Sequence, residues 1–201
     1  DNVKAVENWT YSLAKSLKDH GHEIVVFGSA DSSKEFEVIS ADQPMNADLA
    51  LNDPKKYKSY LKDYFAKCLE YSSSHGVDLI HDQTSELSIL MDSKESKVPV
   101  ISTFHVIRNE EKNKEPYSEL SSLHNISPSK YLAQASAPLQ FEKIIPHGID
   151  TNQFSFNSES GDYFLFVGKI IETKGPIHAV RAATQIGESL KICGAPMAGD
   201  A

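Results

Sequence analysis

The chain has 201 residues, 40% of them hydrophobic, with 20 basic side chains against 28 acidic ones and a net charge of −8. That length allows one or two packed domains, and the acidic balance argues against a broad nucleic-acid surface while leaving room for a local basic pocket. No apolar run reaches the roughly 18 residues needed to span a membrane, so peripheral membrane contact alone stays open.

In chain order, residues 7–20 read as a helix. Val6, Trp9, Leu13 and Leu17 recur at three- and four-residue spacing, and Gly21 stops the helix. Residues 23–27 form a buried strand followed by a polar loop, 28–33. Residues 36–39 suggest a short strand and 42–54 an irregular segment. Pro54 starts a long helix to Ser74. Its tyrosines, Tyr57, Tyr60, Tyr64 and Tyr71, are expected to pack rather than to stack on a ligand. Residues 77–80 give a strand that runs into His81–Thr84, and 85–93 a helix. Residues 98–104 give a strand that closes with His105. The charged stretch 109–116 is expected as solvated loop. A short helix (117–123), a strand (124–127) and a helix from Pro128 with Tyr131 and Leu132 inward come next. Residues 141–145 form a strand broken by Pro146. Residues 147–150 turn, and 151–161 form a polar connector pinned by Phe154 and Phe156. The domains are read as 1–156 and 157–201. Cys68 and Cys193 lack metal-ligand spacing, and both are expected as buried free thiols of a cytoplasmic protein. The opening residues do not begin a signal peptide.

The stretch Tyr163–Pro176 organises the second part. Residues 163–167 fit a strand of a parallel sheet covered on both faces. Gly168 and Lys169 end it, Lys174 follows in a short loop, and Gly175 and Pro176 open a helix. Two lysines between a strand's carboxyl end and a helix's amino end sit where open α/β folds hold anions. A solvated loop with two surface lysines is the other reading.

These pieces, taken in order, resemble the family 4 (group 1) retaining glycosyltransferases. Residues 7–14 with Gly21, His22, Glu23 and 25–29 are similar to the family's first helix and second strand. Residues 77–81 and 98–105 resemble its next strands, and 126–129 the strand and turn before its linker. Residues 144–150 with Phe154 resemble its interdomain signature. Residues 164–171 with Lys174 and Gly175 resemble the start of its nucleotide-sugar domain. The resemblance implies an α/β fold of Rossmann-like doubly wound parallel sheets, the GT-B type. In that type two domains face across a cleft, with an acceptor-side domain at 1–156 and the beginning of a donor domain after it.

The implied activity is transfer of a sugar from a UDP- or GDP-sugar to an acceptor hydroxyl with retention of configuration. Gly168, Lys169 and Lys174 would hold the donor diphosphate, whose charge grows as the glycosidic bond breaks. Lysine at 169, where the family more often has arginine, gives a point charge rather than a bidentate fork. His105 would act at the transferring sugar, or else cap its strand. Asp82 would bind acceptor hydroxyls, or else cap a helix. No metal ligands and no cofactor are expected beyond the nucleotide sugar as donor substrate. His147 is read as a hinge or packing residue.

The resemblance is interrupted twice. The family's first strand with its glycine-rich loop does not appear, nor do the paired glutamates that contact donor sugar and ribose. The sequence therefore reads as a piece of a longer protein that would not catalyse as it stands. A non-catalytic nucleotide- or anion-binding module on a degenerate GT-B fold is the alternative. An epimerase-like α/β protein is a third reading, disfavoured because no GxGxxG turn is present.

Overall fold

A computed structural model describes residues 5–29, 32–40, 53–94 and 96–195. The chain divides into a compact unit Asn8–Ile149 and a second unit that takes residues 5–7 and the chain from Asp150. The connector 151–161 goes with the second unit.

The first unit is a set of parallel strands with helical crossovers. Helix α1 (Ala5–Asp19) ends at Gly21, whose φ of +90° suits a residue without Cβ. Strands β1 (Val25–Gly28) and β2 (Glu37–Ser40) pair in parallel, with Val25 opposite Glu37. β1 starts later than the expected 23–27 and is half-buried rather than buried. Helix α2 (Pro54–Ser74) packs beside this pair. Asp53 caps it by accepting from the Lys56 N–H at 3.0 Å, and Pro54 sits in its first turn. The tyrosines of α2 pack as expected. Tyr64 and Tyr71 meet the Phe27 ring edge-on, and the Tyr64 hydroxyl donates to the carbonyl of Ile39 at 3.1 Å. The irregular segment expected at 42–54 falls almost wholly outside the described residues.

Next come β3 (Ile80–Asp82), α3 (Leu87–Ser93), β4 (Val100–Thr103), α4 (Glu110–Asn113) and β5 (His124–Ser127), then α5 (Lys130–Ala135) and β6 (Lys143–Ile144). The four strands lie in the order β3-β4-β5-β6, all parallel, with Ile80 opposite Val100, Ile101 opposite His124 and Ile126 opposite Lys143. This is the α/β arrangement of a Rossmann-like GT-B domain. A parallel sheet brings every carboxyl strand end to one edge. Two apolar clusters support it. Leu61, Phe65 and Cys68 of α2 pack with Ile80, Ile89 and Val100. Leu90, Phe104, Tyr117, Leu120, Leu132 and Leu139 form the other. Each fully buried side chain of this size contributes about 1.5–3 kcal/mol.

Two expectations for this unit are corrected. Residues 109–116 are not simply loop: the Asn109 side chain accepts from the Lys112 N–H at 3.0 Å and starts α4. Leu132 is 7% exposed, but Tyr131 is 72% exposed. Neighbours on a helix point about 100° apart, so one apolar face cannot hold both.

The second unit contains β7 (Phe164–Val167), α6 (Pro176–Ile186) and β8 (Leu190–Cys193), with β7 and β8 parallel and Phe164 opposite Leu190. The expected two-sided cover of β7 is not seen, since Val167 is 71% exposed and Phe164 and Leu165 are exposed too. One neighbouring strand and one helix cannot enclose both faces of a strand. Phe156 is 92% exposed and pins nothing, and Phe154 is exposed. Cys193 is exposed, so only Cys68 is a buried thiol, and both are free. Burial raises the Cys68 pKa to about 11.

Candidate functional site

The carboxyl ends of β3 and β4 carry the polar residues of the first unit. Asp82, at the end of β3, is 7% exposed. Its Oδ1 accepts from the Thr84 N–H (3.0 Å) and Thr84 hydroxyl (2.7 Å). Its Oδ2 accepts from the Ser85 N–H (3.1 Å) and the Ser102 hydroxyl of β4 (2.7 Å). The carboxylate thus ties the loop after β3 to the neighbouring strand. It does not cap α3, whose first turn has no side-chain cap. Ser85 is held at φ +55°, an uncommon conformation for a residue with Cβ, by donation from its N–H to Asp82 Oδ2 and from its hydroxyl to the Thr103 carbonyl at 3.1 Å.

That loop delivers Gln83 to His105, which lies just beyond β4. His105 Nε2 is 2.9 Å from Gln83 Oε1, and His105 Nδ1 is 3.2 Å from Nε2 of His147. The two imidazoles stack with centroids 4.9 Å apart, and the Trp9 indole of α1 packs against both, at 5.2 Å from His105 and 4.4 Å from His147. Burial, reinforced by the neighbouring His147, pushes the His105 pKa down to about 4. Burial lowers His147 as well. His81 Nε2 lies 2.8 Å from the Thr103 hydroxyl, and its pKa is also lowered by burial. The pair His105 and His147 is therefore neutral at pH 7. It forms an uncharged polar corner walled by an indole, a surface suited to hydroxyl-bearing ligands.

Sequence reasoning reached His105 and Asp82, and the structure sets them at adjacent strand ends. It missed Gln83 and Trp9, and it gave His147 only a hinge or packing role. Gln83 is the residue directly after a parallel strand, which was a usable signal. Trp9 read as one more apolar position of an amphipathic helix.

In the second unit, Gly168, Lys169 and Lys174 share the connection between β7 and α6. The Gly168 N–H donates to the Cys193 carbonyl at 3.0 Å, and a Cβ on Gly194 would collide with the Gly168 carbonyl. The ends of β7 and β8 thus approach as bare backbone. Lys174 ends a short 3-10 turn (Glu172–Lys174), and Gly175, at φ +72°, reverses the chain into α6. α6 has Pro176 in its first turn and no side-chain cap. Lys169 and Lys174 are both exposed and have no ion-pair partner among the described residues. These groups lie in a different unit from Asp82 and His105. No cluster of three or more His, Cys, Asp or Glu that could hold a metal ion occurs among the described residues. Among the same residues no helix is long and apolar enough to cross a membrane.

The profile of Glycosyltransferase Family 4 matches residues 6–153. The chain belongs to this family. The matched span includes Trp9, Asp82, Gln83, His105 and His147, the whole polar corner of the first unit. It ends before Lys169 and Lys174. A comparison with curated proteins gave no match. Family 4 membership makes this a glycosyltransferase-type chain, and thus of the transferase class.

Proposed function

We propose that the full-length protein transfers a hexose from a UDP- or GDP-sugar to an acceptor hydroxyl with retention of configuration. The bond from the anomeric carbon to the diphosphate breaks. The acceptor oxygen bonds on the same face, and its proton leaves with the diphosphate or to solvent. The observation that carries the proposal is the neutral, half-buried His105 at the carboxyl edge of a parallel sheet in a Family 4 chain. In this reading His105 touches the transferring sugar. Asp82 acts indirectly on the acceptor, by shaping the loop that carries Gln83. Gly168, Lys169 and Lys174 meet the diphosphate. Two fixed cations beside an uncapped helix start stabilise a leaving group that gains negative charge, so no tightly bound metal is needed. The free thiols Cys68 and Cys193 suit a cytoplasmic setting.

One observation favours the second reading, a nucleotide-binding module without catalysis. Both ring nitrogens of His105 and both oxygens of Asp82 already have protein partners. The test separates the two. The full-length protein is supplied with labelled UDP- and GDP-sugars and a broad panel of hydroxyl acceptors, and nucleotide binding is titrated alongside. Transfer, with nucleotide affinity lowered about tenfold in Lys174→Ala, is the expected result. Binding without transfer selects the module. Affinity unchanged in Lys174→Ala removes that lysine from the site.

A further inference from the structure

We propose that His147 is a positioning residue for His105: its Nε2–H donates to His105 Nδ1 and holds His105 as the Nε2–H tautomer, a neutral donor for a substrate hydroxyl oxygen. The role given to the presented N–H rests on the proposed function, whereas the tautomer itself does not.

A neutral imidazole has one N–H and one lone pair. At 2.9 Å from His105 Nε2 stands Gln83 Oε1, a carbonyl oxygen that only accepts. The proton of His105 is therefore on Nε2, and Nδ1 offers its lone pair. The group 3.2 Å from Nδ1 is His147 Nε2, which must then carry the hydrogen. The chain of donation runs from His147 through His105 to Gln83. Ring stacking at 4.9 Å and the Trp9 indole restrict rotation of both imidazoles. The titratable groups that bear on His105 are His147, His81 and Asp82. Of these, Asp82 alone favours the charged ring, and its carboxylate is engaged by Thr84, Ser85 and Ser102. An incoming hydroxyl oxygen that replaces Gln83 Oε1 would meet an N–H already in place. The freed Gln83 amide can accept from, or donate to, the same ligand. Electrostatically this corner suits an uncharged sugar hydroxyl and not a phosphate. His147 stands 42 residues from His105 in sequence, and only the fold makes them partners.

The test compares His147→Phe, which keeps an aromatic ring against Trp9 but has no N–H, with His147→Gln, which keeps a donor near the Nε2 position but no ring. Ring-nitrogen NMR of histidine-labelled full chain reads the His105 tautomer, and far-UV circular dichroism confirms folding. The wild type should show His105 protonated on Nε2 with a bare Nδ1. His147→Phe should lose that single tautomer, and His147→Gln should keep it. Where transfer is measurable, kcat/KM should fall about tenfold in His147→Phe and be largely restored in His147→Gln. An unchanged His105 signature in His147→Phe would overturn the proposal, as would a wild-type His105 protonated on Nδ1. The expected tautomers in a wild type without transfer activity would leave the positioning role standing and sink the catalytic reading alone.

Discussion

The two units follow the same parallel strand–helix–strand pattern, yet they bury it to different degrees. In Asn8–Ile149, the strands of the four-stranded sheet have helices against them. Leu61, Leu90, Phe104 and Leu120 are at most 1% exposed. In the chain from Asp150, the described residues give one strand pair and one helix, and Ala183 is the one buried apolar side chain among them. The sequence signals are equally strong in both, since 163–167 is as apolar as 98–104. What differs is the number of neighbours. Burial belongs to the assembly of elements and not to the strand. The polar chemistry differs in the same way: the first unit holds hydrogen-bonded imidazoles and a buried, fully engaged carboxylate, and the second offers exposed lysines on a backbone loop.

This contrast can be broken by mutation. The largest effect is expected at Phe104. Phe104→Ala should cost about 3–5 kcal/mol, the range for emptying a well-packed aromatic site. Phe164→Ala, on the exposed strand, should cost less than about 1 kcal/mol. Denaturant melts read both, and equal costs would erase the distinction drawn between the units. A smaller effect is expected at Asp82. Asp82→Ala leaves buried donors at Ser85 and Ser102 without their acceptor and should cost about 1–3 kcal/mol. A neutral outcome in the same melts would mean that the carboxylate is not what holds this loop.

The smallest effect is the pH dependence of stability. The folded-state pKa of His105 is depressed to about 4, below the ordinary imidazole value of about 6.5. The unfolded chain therefore binds the proton more readily. The contribution of neutral His105 to stability is complete above about pH 6.5 and is lost as pH falls toward 4. Melts across that window should show the first unit weakening toward acid, with a flatter curve in His105→Gln. Identical curves would remove His105 as a source of the dependence.

Much of this was legible in the sequence, and the failures have physical causes. Helix α2 could be read end to end, because Pro54 and Gly76 mark its limits chemically, and the structure adds Asp53 as its cap. The alternation of strands and helices along the chain followed from short apolar runs alternating with helical periodicity. Tyr131 and Leu132 show the limit of composition: both are apolar enough for a core, but only one can face it. Asp82 was read as an acceptor-hydroxyl ligand or a helix cap, and its lone pairs instead serve the loop and the neighbouring strand. Period and composition cannot reveal which partner satisfies a polar group. The His105–His147 contact joins two loops through tertiary packing, and no local pattern encodes it. The family resemblance was carried by the ordered set of segments, and the Family 4 profile matches residues 6–153, which leaves the segment 164–175 outside it.

The central claim is that His105 acts on the transferring sugar in a Family 4 glycosyltransferase. The most direct measurement is transfer of labelled hexose from UDP- and GDP-sugars by wild type and His105→Ala, with folding checked by circular dichroism. Transfer by the full-length wild type is expected, with a loss of about 100-fold or more in kcat/KM for His105→Ala and nucleotide affinity little changed. A folded His105→Ala that transfers at the wild-type rate would contradict it.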